Sequence, residues 1–196
     1  VGSPIPFVTV AMTGRCDGAP LTRRGARVGD LVAVSGPLGA SSGGLRLLEG
    51  GIPLHGPNRE GLIRAHRRPN VRKDMGPVLR QKGVTSAMDI SDGIAADMRK
   101  LAAASEVAAS IDVSLVPIAS ELWAEFPADA VEMALGGGED YELIFTGPAT
   151  AVEAVIGEIP GPSIIGEIVS GESGEVYFHT AGVPVQMNTK GWEHLR

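Results

Sequence analysis

Apolar positions along the chain fall into two rhythms: short continuous runs, and stripes spaced three or four residues apart. Phe7 to Met12 reads as an apolar strand, followed by a turn-like Thr13-Gly14-Arg15-Cys16-Asp17-Gly18. Leu31-Val32-Ala33-Val34, set between Asp30 and Ser35-Gly36, is a β-branched strand closing on glycine. Gly36 to Gly44 is a glycine-rich turn, and a helix begins at Leu45 to Leu48. Leu62, Ile63 and Ala65 among polar residues place a helix over Asn58 to Arg67, which Pro69 ends. A shorter helix spans Met75 to Gln81, with Gly83 suited to its C-cap. Val84 to Met88 is a short, largely apolar strand. Ile94, Met98 and Leu101, with Ala95 and Ala102 beside them, form the stripe of a helix running to Ala104.

In the second half, Ala109 to Leu115 is a strand. Pro127 and Asp129 open a helix through Ala130, Met133 and Ala134, stopped by Gly136-Gly137-Gly138. Glu139 to Thr146 alternates as a strand, with Tyr141, Leu143 and Phe145 on one face and Glu142, Ile144 and Thr146 on the other. Ala151 to Ile156 is a helix and Ser163 to Val169 a strand; Gly171 to Glu175 is a turn. Val176 to His179 pairs through Ala181-Gly182 with Val183 to Met187. Strands and helices interleave and a hairpin comes near the end, so the class is α/β or α+β with a mixed sheet. There is no internal repeat or linker.

Length and charge narrow the picture. A chain of 196 residues, 43% hydrophobic, buries a substantial core, and one large domain is the default. The net charge of −6 argues against a nucleic-acid platform, and no basic run carries interleaved aromatics. Arg64, His66, Arg67, Arg68 and Arg72 form the only basic cluster, which reads as a solvated helix face. Cys16 is the sole cysteine, so no disulfide forms within the chain, as suits a reducing compartment. No apolar run approaches the roughly 20 residues a membrane span needs. The chain opens on Val1-Gly2-Ser3-Pro4 without an initiator methionine or secretory signal, and Val1 reads as a cut within a longer protein.

The candidate chemistry centres on Ser86-Ala87-Met88-Asp89-Ile90-Ser91-Asp92-Gly93, where a strand gives way to a helix. Asp92 or Ser91 suits the N-cap, because a short side-chain oxygen accepts from the orphan amides of a helix start. One cap needs one oxygen, so a second carboxylate, Asp89, is surplus. Two carboxylates flanking a tight turn either converge on one hard cation or leave a capped helix with a solvated aspartate beside it. The glycine turn at Gly36 to Gly44, after a strand and before a helix, either packs tightly or cradles phosphate with its amides, although it lacks the Gly-Lys-Ser/Thr ending of a P-loop. At Gly136 to Asp140 three glycines run straight into two acids, which lets backbone and carboxylate approach a ligand; a solvated acidic loop is the alternative. His55, His66, His179 and His194 have no partner at a metal-ligand spacing, and no nucleophile elbow appears. Carboxylates in an acidic protein reach phosphates through Mg²⁺, which points to metal-assisted phosphoryl chemistry.

Met88-Asp89-Ile90-Ser91-Asp92-Gly93, with Ile94-Ala95-Ala96-Asp97 behind it, resembles a signature of the thiamine-monophosphate kinase family. Gly137-Gly138-Glu139-Asp140-Tyr141-Glu142-Leu143 is similar to a second signature, and Lys190-Gly191-Trp192-Glu193-His194 to the Gly-aromatic-x-His tail. Thr22 to Ala26 and Val28-Gly29-Asp30 also fall in family order, so the resemblance runs essentially from Val1 to Arg196. It implies the C-terminal α/β domain of the aminoimidazole ribonucleotide synthetase-like superfamily over residues 15–196. Residues 1–14 would be one residual strand of a missing N-terminal ATP-binding and dimerisation domain. It implies an enzyme that makes thiamine diphosphate from thiamine monophosphate with ATP as co-substrate and Mg²⁺ as cofactor. That enzyme would be a cytoplasmic homodimer with no nucleic-acid or membrane partner. Position by position, Asp89 and Asp92 would be Mg²⁺ ligands. Ser91 would touch ATP and Arg23 its phosphate; Glu139 and Trp192 would contact the substrate. Ile94 stands where Leu is usual, Val71 replaces a proline in the Arg-Pro-x-Pro-Arg pattern, and Leu195 replaces Phe. A sibling enzyme of the superfamily, or a ligand-binding module alone, is the alternative, and the chain by itself is expected to be inactive.

Overall fold

The computed structural model describes residues 8–16, 18–53 and 55–186. Strands β1 (Leu31–Val34), β2 (Ser86–Asp89), β3 (Ala108–Asp112), β4 (Leu143–Gly147), β5 (Ser163–Val169), β6 (Val176–Thr180) and β7 (Val183–Pro184) form one sheet in the order β2-β4-β1-β5-β3-β6-β7. All neighbours are antiparallel except β3 and β6, which run parallel. The mixed sheet expected from the interleaving of strands and helices is therefore the fold.

Helices cover both faces of the sheet. They are α1 (Ala40–Glu49), α2 (Pro57–Arg67), α3 (Met75–Lys82), α4 (Ile94–Ser105), α5 (Ser120–Glu125), α6 (Ala130–Gly136) and α7 (Ala149–Glu158). Alternation along β1 and β4 sorts the core: Val32, Val34 and Ile144 point into a large cluster with Ile94, Met98 and Leu101 of α4. Ala33 and Phe145 point the other way, against Met75 and Leu79 of α3 and Val152 and Val155 of α7. Both faces of β1 are thus buried, which is why its sequence is continuously apolar rather than alternating. Among the described residues no helix is long and apolar enough to cross a membrane.

Several expected boundaries move. The segment expected to be a strand over Phe7 to Met12 has no strand in its described part, and Val8, Val10 and Met12 are exposed; no strand of the described sheet pairs with it. Helix α1 begins at Ala40, five residues before Leu45, and contains Gly43 and Gly44. Two glycines cost a helix about 1 kcal/mol each relative to alanine. Here they are required by packing, since a Cβ on Gly44 would overlap the Leu62 carbonyl oxygen of α2. Strand β3 stops at Asp112 and passes into a single 3₁₀ turn, Val113–Leu115, capped by the Asp112 carboxylate. The six-residue α5, with Leu122 as its one buried residue, is too short to show a stripe in the sequence.

What positions the site is the direction of three strands. β1 and β2 both run antiparallel to β4, so their C-terminal ends and the start of β4 lie at the same edge of the sheet. Helix α1 leaves the end of β1, α4 leaves the end of β2, and the glycine–acid loop enters β4 there.

Candidate functional site

At that edge the two acidic motifs are laced together. Asp89 pairs with Leu143 at the last register position of β2 and β4. Beyond it, the Ile90 amide donates to the Glu142 carbonyl at 2.8 Å, and the Tyr141 amide to the Ile90 carbonyl at 3.0 Å. The Glu139 amide donates to the Ser91 carbonyl at 2.9 Å. Gly138 is where the two turns stack, because a Cβ there would overlap the Ser91 carbonyl oxygen. Gly138 is thus a steric requirement of the contact between the motifs, whereas a Cβ on Gly137 would overlap the Met133 carbonyl oxygen and Ser42.

Neither Asp92 nor Ser91 is the N-cap of α4. That position is Gly93, at φ 94°, and it makes no side-chain cap. The turn is instead held from inside the helix by Asp97, whose carboxylate accepts from the Ser91 and Asp92 amides at 2.8 Å each. Asp97 is 0% exposed. Its other oxygen accepts from Lys100 Nζ at 2.7 Å, and the same ammonium is bonded to the Asp92 carboxylate. Burial lowers the Lys100 pKa, but the two carboxylates outweigh it and hold the ammonium above its usual value.

The loop before β4 is not the strand expected over Glu139 to Thr146. Glu139 and Tyr141 both have positive φ, 65° and 53°, a region uncommon for non-glycine residues. The acids between and after them anchor this conformation. Asp140 accepts from the Gly39 amide at 2.7 Å and the Ser41 amide at 3.1 Å, satisfying orphan donors at the start of α1. Burial pushes Asp140 up to about 6 against the pull of those amides. Glu142, 9% exposed, accepts from Ser35 Oγ and faces Arg72 at 3.5 Å. Burial raises its pKa too, with Ser35 and Arg72 opposing. Asp140 and Glu142 are thus committed to the scaffold, whereas Glu139 and Tyr141 are left toward solvent.

Between α1, α6 and the two turns lies a cavity of about 1210 Å³. Ser91, Asp92, Glu139 and Tyr141 line it, as does His66 of α2. His66 Nδ1 is 3.0 Å from Ser41 Oγ, which fixes the ring. The Tyr141 phenol is pushed up by burial and then by the charges of Glu139, Asp89 and Asp92, so Asp89 shares the same field although it is exposed outside the cavity lining. Three of the expected site residues, Ser91, Asp92 and Glu139, are therefore brought together, and Asp89 is at their edge.

Arg23 does not line the cavity. The Thr22 carbonyl accepts from the Ala87 amide at 3.0 Å, which lays this segment along the open edge of β2; the Arg23 carbonyl accepts from Ser105 Oγ at the far end of α4. Trp192 lies outside the described residues. Asp140, read from the sequence as one of two acids approaching a ligand, is instead tied to α1, and His66, read as part of a solvated basic face, lines the cavity. Asp97 enters the sequence reading only within the acidic signature, and Lys100 not at all. The helical i, i+3 spacing of Asp97 and Lys100 was the one available signal, and such pairs are common on solvated helix faces.

Among the described residues no group of three or more His, Cys, Asp or Glu side chains could hold a metal ion by itself. Asp89 and Asp92 nevertheless fit Mg²⁺ as partial ligands: they offer hard carboxylate oxygens, and Mg²⁺ is commonly held by one or two carboxylates plus phosphates and water.

Residues 27–179 match the family model described as AIR synthase related protein, C-terminal domain. Thiamine-monophosphate kinase of Escherichia coli (strain K12) is 36% identical over 184 residues, 91% of this chain and 56% of that protein. Thiamine-monophosphate kinase of Aquifex aeolicus (strain VF5) is 38% identical over 176 residues, 88% of this chain and 54% of that protein. The solved structure of AaThiL complexed with AMPPCP and TMP superposes with a TM-score of 0.77 at 38% identity, over 89% of this chain and 54% of that one. The chain spans about half the length of the curated relatives it matches.

Proposed function

The chain belongs to the AIR synthase related protein family, C-terminal domain, and from that premise we propose that it is the C-terminal part of a thiamine-monophosphate kinase. The whole protein transfers the γ-phosphoryl group of ATP to the phosphate of thiamine monophosphate, giving thiamine diphosphate and ADP. The observation that carries this reading is the hydrogen-bonded stack of the Asp89–Gly93 turn on the Gly138–Glu142 loop, both motifs facing one cavity. The identity to kinases over about nine-tenths of the chain, and a relative solved with AMPPCP and TMP, support the choice of substrates.

In this reading Asp89 and Asp92 would hold Mg²⁺, which would offset the charge between two phosphate-bearing reactants. Ser91 has both main-chain groups engaged, by Asp97 and Glu139, and its hydroxyl has no hydrogen-bond partner among the described residues. It is the group left to contact ATP. Glu139 presents its carboxylate to the thiamine end of the substrate, which carries the cationic thiazolium, while its amide is fixed on Ser91. Trp192 stacks on the thiazolium, where a flat aromatic face attracts a cation. Arg23 reaches an ATP phosphate from the outer edge of β2. The transfer is direct and needs alignment rather than a covalent intermediate. The intact protein is a Mg²⁺-dependent homodimer of the cytoplasm.

The test is product formation by the full-length protein that contains this chain, given ATP, thiamine monophosphate and Mg²⁺. Thiamine diphosphate is the expected product. Consumption of ATP with a different acceptor, and none with thiamine monophosphate, would move the assignment to a sibling enzyme.

A further inference from the structure

Asp97 has a feature that helix capping does not explain. A carboxylate at a helix start ordinarily serves the amides of the first turn. Here the Ala96 and Asp97 amides are already taken by the Gly93 carbonyl, and Asp97 reaches back past the cap to Ser91 and Asp92. Both of those amides go to one oxygen, Oδ2, which leaves Oδ1 for Lys100 at 2.7 Å. A carboxylate that is 0% exposed is tolerated only when it is well hydrogen-bonded, and these three donors occupy three of its roughly four acceptor sites. Lys100 also binds Asp92, so a single ammonium is divided between one carboxylate sealed in the core and one that lines the cavity.

That division has an electrostatic consequence. Asp92, Asp97 and Lys100 together carry one net negative charge. Asp97 is held by two backbone amides, and it holds the Lys100 ammonium in turn. Asp92 is thereby oriented by the ammonium without being fully neutralised by it, and the residual negative charge faces the cavity. We propose that Asp97 and Lys100 are positioning residues that set the divalent-cation affinity of Asp92 by sharing one ammonium between two carboxylates. The inference rests on the reading of Asp92 as a metal-facing residue.

The charge count gives opposite signs for two substitutions. Asp97→Asn keeps the side-chain shape and an oxygen for the two amides but loses its claim on Lys100. The ammonium then falls wholly on Asp92, the triad becomes neutral, and cation affinity drops. Lys100→Met leaves two carboxylates and no ammonium, and cation affinity rises. The double variant returns to one net negative charge and to near wild-type affinity. A purely structural role would instead lower affinity and melting temperature together in both variants.

The experiment is Mn²⁺ binding to the full-length protein, followed by electron paramagnetic resonance, with a thermal melt of each variant. Asp92→Asn defines the class of Mn²⁺ that depends on this site. For that class, Asp97→Asn should weaken binding and Lys100→Met strengthen it, each by about tenfold for one unit of charge beside a divalent ion. Lys100→Arg should stay near wild type. If Lys100→Met melts below the assay temperature, Lys100→Gln, which also removes the charge but can donate to Asp97, takes its place with the same expected sign. Shifts of the same sign in both variants, or no shift in either, would overturn charge sharing while leaving the metal reading intact. Loss of no Mn²⁺ at all in Asp92→Asn would instead remove the metal reading, and the proposal with it.

Discussion

The main-chain carbonyl of Ser91 accepts the amide of Glu139 at 2.9 Å, so the acidic turn after β2 and the acidic loop before β4 are one structural unit. The contact is close because Gly138 has no side chain. A Cβ at that position would meet the Ser91 carbonyl oxygen, which is backbone and cannot rotate aside. Gly138→Ala should therefore part the two turns and destabilise the protein by about 2 kcal/mol, as overpacking does. A melt of the full-length variant checks this; an unchanged midpoint would mean the loops separate without cost.

Asp140 gives a pH signature. Its carboxyl is raised from an ordinary value of 3.8 to about 6 in the fold. A raised pKa means the folded state binds the proton more tightly than the unfolded chain. The stability this supplies is fully present below about pH 3.8 and is lost as pH rises through about 6. The difference is on the order of 3 kcal/mol by linkage. Asp140→Asn, which cannot ionise, should lack this component, so the stability of the wild type should fall relative to the variant between pH 4 and 6.5. Urea unfolding across that range measures it, and parallel profiles would show that Asp140 is not the titrating group.

Arg72 and Glu142 make a second test of the scaffold. Their side chains are 15% and 12% exposed, so Arg72→Met strands a nearly buried carboxylate with Ser35 Oγ as its remaining side-chain donor. The loss should be about 2–3 kcal/mol at pH 7. It should shrink toward pH 5, because the stranded Glu142 relieves the penalty by taking up a proton. A penalty that does not vary with pH would locate the effect in lost packing rather than in charge.

The strands and most helices were legible in the sequence because burial imposes a period. β1 is apolar throughout because both its faces are covered, and the alternation of Ile144 and Phe145 matches the two core clusters they enter. Phe7 to Met12 is apolar in sequence, but in its described part no strand of the sheet lies beside it. At two other misjudged segments tertiary contact overrides local preference. Gly43 and Gly44 read as a turn but are helical, because α2 lies too close for any side chain. Glu139 to Glu142 alternates like a strand, yet Asp140 and Glu142 are drawn to α1 and to Ser35, which bends the chain through positive φ. The pairing of the two acidic motifs follows from β2 and β4 being neighbours, a long-range fact with no local trace. For the same reason Asp97 and Lys100, spaced like any surface pair, gave no sign of holding Asp92.

The chain alone should not turn over. It spans about half the length of its curated relatives, and no described cluster of side chains closes a metal site. Residues 1–196 assayed without the rest of the protein should form negligible thiamine diphosphate from ATP and thiamine monophosphate. Turnover comparable to the full-length protein would show that this half carries the whole site.

The most direct test of the account is Asp92→Asn in the full-length protein. Gly93, not Asp92, occupies the N-cap, and Asp97 holds the turn through backbone amides that the substitution leaves in place. The fold should therefore be retained, with a melting temperature within a few degrees of wild type. Thiamine diphosphate formation should collapse, and added Mg²⁺ should recover part of it, because what has been removed is one negative charge facing the cavity. A variant with wild-type kcat and unchanged Mg²⁺ dependence would contradict the proposed metal-facing role of the acidic turn and, with it, the kinase mechanism proposed for it.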